Sequence, residues 1–311
     1  MSQVGSITIE PVLDEVECIA EALSHFTESK NDFEGQMVSV LMPALNEAEC
    51  ISAVISSIPI DEFAARGFNI EVLVVDNGST DGTGEVAGNA GARVVTEPKK
   101  GYGNAYRRGF AEAKGDIICT LDADGTYPAS MLPDIVERLV KGDLDFISTN
   151  RFASMHNEAM SPINRLGNSL LNFISRTLFR LPFRDSQSGM WIFRKDLIGR
   201  MDLQSSGMSL SQEIKIEAAC RLKARCIEVP IYYEKRMGLP KLNRWRDGFG
   251  NLFHLMRKRF TWEKPGKSAS VSATSQGFGG YQQFQSPYLS YHGTVSVPHS
   301  NNVILSPGSQ D

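Results

Sequence analysis

Ile117-Ile118-Cys119-Thr120-Leu121-Asp122-Ala123-Asp124-Gly125-Thr126-Tyr127-Pro128 is the stretch that decides how this chain is read. An apolar run of strand length delivers two carboxylates, one residue apart, into a turn marked by Gly125 and Pro128. Strand side chains alternate between faces, so Asp122 and Asp124 are expected to point the same way where the strand ends. Two oxygen ligands converging there suit Mg²⁺ or Mn²⁺, which keep waters and share their coordination with substrate phosphates. Open α/β sheets bind ligands outside the carboxyl ends of their strands, where this pair falls. A solvated Asx turn uses the same residue types, so the reading needs support from elsewhere in the chain.

Upstream, Met37–Pro43 and Ile70–Asp76 read as buried strands, and Ala92–Thr96 as a third, shorter one. Apolar residues at 51, 54, 55 and 58 predict a helix over about 47–58. Asn77–Thr83 supplies a turn and helix cap, and Gly101–Ala113 a further helix. Downstream, a helix over 129–140 and a strand over Asp145–Thr149 continue the alternation. Strands alternating with helices of this length predict βαβ units and a largely parallel sheet. Beyond it, a long amphipathic helix is expected over 162–180, striped by Ile163, Leu166, Leu170, Leu171, Ile174 and Leu178. Gln187–Arg194 is expected as a strand, Ser211–Leu222 as a helix and Cys226–Val229 as a short strand entering Pro230.

The organisation expected is an N-terminal appendage over 1–35 with one acidic helix near 13–26, a catalytic domain over 36–243, an amphipathic helix over 244–261, and a disordered tail over 262–311. Between 261 and 311 only Glu263, Lys264, Lys267 and Asp311 are charged, amid Ser, Gly, Gln, Tyr and Pro. A net charge of −4 gives no reason to expect nucleic acid. Five cysteines without a C-x-x-C pair argue against a disulfide framework and for a reducing cytoplasm. No signal peptide and no apolar run of transmembrane length is visible.

Four features fall at the carboxyl ends of successive strands: Pro43-Ala44-Leu45-Asn46-Glu47, Asp76-Asn77-Gly78-Ser79-Thr80-Asp81, Lys99-Lys100-Gly101-Tyr102-Gly103-Asn104-Ala105, and Asp122-Ala123-Asp124. In this order and spacing the chain resembles glycosyltransferase family 2 from about Met37 to Asn243. Asn150-Arg151-Phe152, Asp185-Ser186-Gln187-Ser188-Gly189 and Arg236-Met237-Gly238-Leu239-Pro240-Lys241-Leu242 narrow the resemblance to the polyprenyl-phosphate (dolichol-phosphate) mannose and glucose synthases.

The resemblance implies a glycosyltransferase A fold, with a Rossmann-like mostly parallel sheet covered by helices on both faces. It also implies inverting transfer of a hexose from a nucleotide sugar, GDP-mannose or UDP-glucose, to a polyprenyl or dolichyl phosphate. It places the nucleoside against Pro43, Leu45, Glu47 and Asp76, with Lys100 on the donor side. Asp122 lies against the nucleotide sugar and Asp124 ligates the metal through the diphosphate. Relatives often carry Gln two residues after the second Asp as a further ligand; here that position is Thr126. Arg151 falls where the family uses arginines for phosphate, whose oxygens suit a planar bidentate donor. Glu213 matches a helical acidic position expected to orient the acceptor. Arg236 and Lys241 are expected to close over the diphosphate, with Gly238 permitting the bend and Pro240 stiffening it.

Trp245, Phe249, Leu252, Phe253, Met256 and Phe260 repeat at helical spacing, flanked by Arg244, Arg246, Arg257, Lys258 and Arg259. From 234 to 260 eight Lys/Arg face two acids, a net +6. A basic amphipathic helix with aromatics suits an anionic membrane surface, whereas such a stripe packed on the domain core would leave a soluble enzyme. The expectation is a peripheral enzyme at the cytoplasmic face of a membrane. Its rivals are a soluble transferase with a small-molecule or protein acceptor and a non-catalytic nucleotide-sugar-binding protein.

Overall fold

The structure, a computed structural model, describes residues 35–156, 158–238 and 244–261, with side chains from Gly248 onward in the last segment. The expected acidic helix near 13–26, the tail over 262–311 and Lys241 lie outside the described residues.

β1 (Met37–Ala44) is central, flanked in parallel by β2 (Asn69–Asp76) and β4 (Ile117–Thr120), with β3 (Arg93–Thr96) parallel to β2 at one edge. β6 (Trp191–Arg194) runs antiparallel between β4 and β5 (Phe146–Met155), and β7 (Cys226–Tyr233) closes the far edge parallel to β5. The order is β3-β2-β1-β4-β6-β5-β7, seven strands with one reversed.

Near-continuous apolar runs form the central strands because both faces are covered. On one face Val38, Val40 and Met42 meet Ile51, Val54 and Ile55 of α1 (Ile51–Ser56) and Ile135, Val136 and Leu139 of α5 (Leu132–Lys141). On the other, Leu41, Leu73 and Val75 meet Tyr106 and Phe110 of α4 (Tyr102–Glu112) and Trp191. Alternate residues of β1 thus serve opposite cores. Two shorter helices, α2 (Ile60–Ala65) and α3 (Thr83–Asn89), bracket β2.

Three long-range elements complete the described chain. α6 (Pro162–Phe179) starts at Ser161, whose Oγ accepts from the amide of Asn164, and stops at Arg180, which adopts φ 56°. α7 (Leu210–Lys215) continues as a π-helical stretch over Ile216–Arg221. α8 (Arg244–Phe260) packs beside α6.

Several expectations change. β4 ends at Thr120, so Asp122 and Asp124 stand on a turn and strand alternation does not place them. β7 runs through Pro230 instead of stopping before it, which an edge strand tolerates because the missing N–H lies on its unpaired side. The strand expected from Gln187 begins only at Trp191, since polar contacts draw 185–189 out of the ladder. The apolar stripe of α6 divides: Leu171 is buried, whereas Ile163, Leu166 and Leu170 are exposed. On α8 the stripe faces outward, with Phe249, Phe253, Met256 and Phe260 exposed and Asn251, Leu255 and Lys258 buried.

Candidate active site

The ends of β1, β2 and β4 open onto one cluster of polar side chains. Asn46, at φ 55°, donates its amide to Ser79 Oγ (2.9 Å) and accepts from the Thr80 amide (2.8 Å). The Glu47 amide donates to Thr83 Oγ1 (2.8 Å) and the Ala48 amide to Asp81 Oδ2 (3.1 Å). The turns after β1 and β2 are therefore stitched together, with half-buried Pro43 and Leu45 beside them. Half-buried Asp76 accepts the Ser79 amide at 2.8 Å, so the Asx cap is made with Oδ1. A Cβ on Gly84 would stand 2.9 Å from Asp76 Oδ2, so α3 approaches this carboxylate closely. Asn77 holds the 97–101 loop by donating to the carbonyls of Glu97 and Lys99 and accepting the Gly101 amide. That loop carries exposed Lys100, whose Cε lies 3.7 Å from where a Cβ on Gly78 would be.

The D-x-D turn is tied to the loop after β7. Buried Asp124 accepts from the Thr126 amide (3.1 Å) and Oγ1 (2.7 Å) through Oδ1. Thr126 thus holds Asp124. Oδ2 of Asp124 receives Arg236 Nη1 at 2.7 Å, and Arg236 Nη2 reaches Glu47 Oε1 at 2.5 Å. One guanidinium spans two carboxylates from different strands. The Met237 amide donates to the Asp124 carbonyl (2.9 Å), and a Cβ on Gly125, at φ 75°, would collide with Met237 Cε at 2.2 Å.

Half-buried Asp122 meets a different set of groups. Tyr102 Oη donates to its Oδ1 at 3.4 Å, and a Cβ on Gly189 would come within 2.8 Å of that hydroxyl and 3.3 Å of the carboxylate. Only glycine fits there, which sets the approach of the 185–189 segment. Burial, with the Asp124 charge adding to it, pushes the Asp122 carboxyl up to about 7 against the nearby Arg151 and Arg236. The sequence alone singled out neither Tyr102 nor this contact of Gly189.

The structure gives Arg151 a partner the sequence did not. Its fork meets Asp185 at 2.7 and 2.9 Å, and its own amide donates to the same carboxylate. Both residues are buried, and the guanidinium lies 5.4 Å from the Tyr233 ring. As placed, its fork is occupied by a carboxylate instead of open to a phosphate. Buried Lys215 donates to the carbonyls of Asp185 (2.7 Å) and Ser188 (2.9 Å). Glu228 accepts the amides of Arg184 and Asp185. Asn172 of α6 receives both the amide and hydroxyl of Ser186. Gln187 donates to Gln212 Oε1 (2.9 Å) and accepts from Asn251 Nδ2 (3.1 Å), joining α7 and α8 to the segment that touches Asp122.

Glu213 likewise departs from the expected acceptor role. It is buried on α7, accepts the Ser205 amide (2.8 Å), and pairs with Lys258 (3.0 Å) and His254 (3.3 Å) of α8. Lys258 also pairs with Glu217 at 2.8 Å. The inward face of α8 thus mixes Asn251, His254 and Lys258 with Leu252 and fully buried Leu255, while Phe249, Phe253, Met256 and Phe260 turn outward. Burial pushes the Glu213 carboxyl up, but the His254 hydrogen bond, the Lys258 charge and the Ser205 amide outweigh it and hold it at about 2. A depressed carboxyl contributes stability above its unfolded value of 4.5, and that contribution is lost as pH falls from there toward 2. Thermal midpoints should therefore drop over this window, and Glu213→Gln should flatten the drop. An unchanged pH profile in the variant would remove Glu213 from the docking of α8.

The donor set near the D-x-D turn suits a hard divalent cation. Asp122, Asp124 and Glu47 supply only oxygen, and Arg236 already spans the last two at cation-like distances. Among the described residues no three His, Cys, Asp or Glu side chains converge at ligand spacing. Mg²⁺ and Mn²⁺ take one or two carboxylates and complete their shell with waters and phosphates.

The model of glycosyl transferase family 2 matches residues 39–201. The glycosyltransferase AglJ of Haloferax volcanii is 33% identical over 253 residues, covering 79% of this chain and 81% of that protein. The dolichyl-phosphate hexose transferase of the same organism is 33% identical over 178 residues, 57% of this chain and 76% of that protein. Among solved structures, glucosyl-3-phosphoglycerate synthase from Mycobacterium tuberculosis, in complex with Mg²⁺ and UDP, superposes with a TM-score of 0.59 at 22% identity. That match covers 75% of this chain and 82% of that one, and shows the shared fold.

Proposed function

This chain belongs to glycosyl transferase family 2 and is a glycosyltransferase, and from that premise we propose that it moves a hexose from a nucleoside-diphosphate sugar to a lipid-linked phosphate at a membrane surface. One observation carries the lipid half: α6 and α8 lie side by side and turn Ile163, Leu166, Leu170, Phe173, Phe253 and Phe260 to solvent. Large contiguous apolar patches mark interaction surfaces. No helix among the described residues is long and apolar enough to cross a membrane, so the contact is interfacial. The dolichyl-phosphate hexose transferase among the relatives supports the same acceptor class.

In this reading Pro43, Leu45, Glu47 and Asp76 receive the nucleoside, and Lys100 reaches the diphosphate. Asp124 and Asp122 would hold Mg²⁺ or Mn²⁺, which when bound would supply neutralising charge for the departing diphosphate. Arg236 gives up Glu47 and Asp124 for phosphate oxygens when donor arrives, joined by Lys241. A lipid monophosphate, with a second pKa near about 6, is already ionised and nucleophilic at neutral pH. Arg151 fixes the 185–189 segment through Asp185, and Glu213 fixes α8. Both position the acceptor side without touching the reacting atoms.

Arg236→Ala should lower kcat/KM by roughly a hundredfold, the usual cost of losing one donor that stabilises developing charge. With divalent cation present, the thermal midpoint should move by only a few degrees, about 1 kcal/mol or less. A lower midpoint with unchanged turnover would make Arg236 a structural clamp. The reaction itself is tested by incubating purified chain and Mg²⁺ or Mn²⁺ with GDP-mannose, UDP-glucose or UDP-N-acetylglucosamine. Polyprenyl phosphate and a water-soluble acceptor are compared in parallel. Transfer to the soluble acceptor alone would overturn the lipid half.

A further inference from the structure

Between α6 and β5 lies a cavity of about 840 Å³ that shares no lining residue with the D-x-D turn. Its lining holds three arginines, Arg176, Arg180 and Arg184, and no acidic residue. None of the three guanidinium groups has an ion-pair partner among the described residues; Arg165 and Arg200 also have none, but the three here share the lining of one cavity. Arg176 and Arg180 stand one helical turn apart, and the left-handed residue Arg180 turns the chain so that Arg184 returns to the same cavity. Buried Leu181 and Phe183 anchor that return. Three like charges gathered in one concavity repel one another unless an anion joins them, and planar forks favour phosphate oxygens.

The remaining wall mixes apolar Phe152, Ala153, Phe173 and Leu181 with polar Asn150, Ser169, Asn172 and Thr177. Phe173 is 68% exposed and belongs both to the cavity and to the outward face of α6 and α8. Phe173 thus joins the arginine-lined cavity to that exposed apolar face. Arg184 is followed by Asp185, Ser186 and Ser188, all fully buried, before Gly189 reaches Asp122.

We propose that this cavity binds the phosphate headgroup of an anionic membrane lipid that takes no part in the transfer and seats the enzyme on the bilayer. The proposal rests on the membrane-surface reading above, and its test separates the two. Full-length protein without vesicles is titrated calorimetrically with dihexanoyl phosphatidic acid below its micellar concentration. Dihexanoyl phosphatidylcholine and inorganic phosphate serve as comparators. One saturable site for phosphatidic acid is expected, tighter than for either comparator. Arg176→Gln/Arg180→Gln, at two exposed positions, should weaken it roughly thirtyfold, from about 1 kcal/mol per arginine near an anionic group. The double variant should retain kcat/KM toward a water-soluble acceptor. Equal affinity in the variant, or phosphatidic acid binding no tighter than inorganic phosphate, would overturn the site. A raised KM for the soluble acceptor would overturn it too, by making the cavity the acceptor's own. Wild-type protein that binds phosphatidic acid through these arginines yet ignores anionic vesicles would sink the membrane-surface reading and the seating role with it, leaving only a phosphate-monoester site in the cavity.

Discussion

On the proposed reading, Asp124→Asn should lower turnover by at least about a thousandfold, because charge neutralisation by a cation at this carboxylate is worth several kcal/mol and each 1.36 kcal/mol is a factor of ten. The substitution keeps the shape. An amide oxygen still accepts from the Thr126 amide and hydroxyl, which sit 3.1 and 2.7 Å from Oδ1. What goes is the negative charge facing Arg236 Nη1 and the divalent cation. Arg236 retains Glu47, so the loop after β7 stays tethered on one side. Donor binding should lose its dependence on Mn²⁺ in calorimetry, while the thermal midpoint without metal changes little. Full turnover by wild-type enzyme in excess chelator would show that the D-x-D pair holds no catalytic cation.

The parts of this site that were legible from sequence are local. An apolar run followed by Asp, Asn or Gly announces both a strand and its ligand-facing turn, which is why Pro43–Glu47, Asp76–Asp81 and Asp122–Asp124 were found at the ends of β1, β2 and β4. The parts that were not legible depend on partners far away in the chain. Arg236 meets Asp124 across 112 residues and Glu47 across 189. Arg151 is claimed by Asp185, and Glu213 by Lys258, and no spacing rule foretells either pairing. Strand alternation gave the D-x-D pair a plausible geometry for a wrong reason, since the strand stops two residues before Asp122.

The direction of α8 teaches the same point. A stripe at helical period locates an apolar face without saying what it faces. The missing signal lay on the opposite side of the helix, where Asn251, His254 and Lys258 recur at i, i+3 and i+7. Those residues find Gln187, Gln212 and Glu213 inside the fold, and Lys258 leaves the surface cation band it was expected to join. With Asn251, Leu255 and Lys258 turned inward, Phe253, Met256 and Phe260 face outward together with Arg257 and Arg259.

Phe253→Gln/Phe260→Gln should therefore release the enzyme from vesicles while leaving it folded. The two rings are 71% and 81% exposed, so their loss removes little from the core, within about 0.5 kcal/mol of stability each. Burying a phenylalanine is worth about 1.5–3 kcal/mol, so together the pair should weaken partition onto anionic vesicles on the order of a hundredfold or more. Deleting α8 would be a poorer test, since it strips Glu213 and Glu217 of Lys258 and leaves Gln187 without Asn251. The measurements are co-sedimentation with vesicles and transfer to two acceptors. Transfer to long-chain polyprenyl phosphate embedded in vesicles should fall with partition, and transfer to a short water-soluble analogue should hold. Unchanged sedimentation would mean the exposed rings meet something other than lipid. Equal losses on both acceptors would place the effect in the catalytic fold, through the Asn251–Gln187 link to the segment beside Asp122.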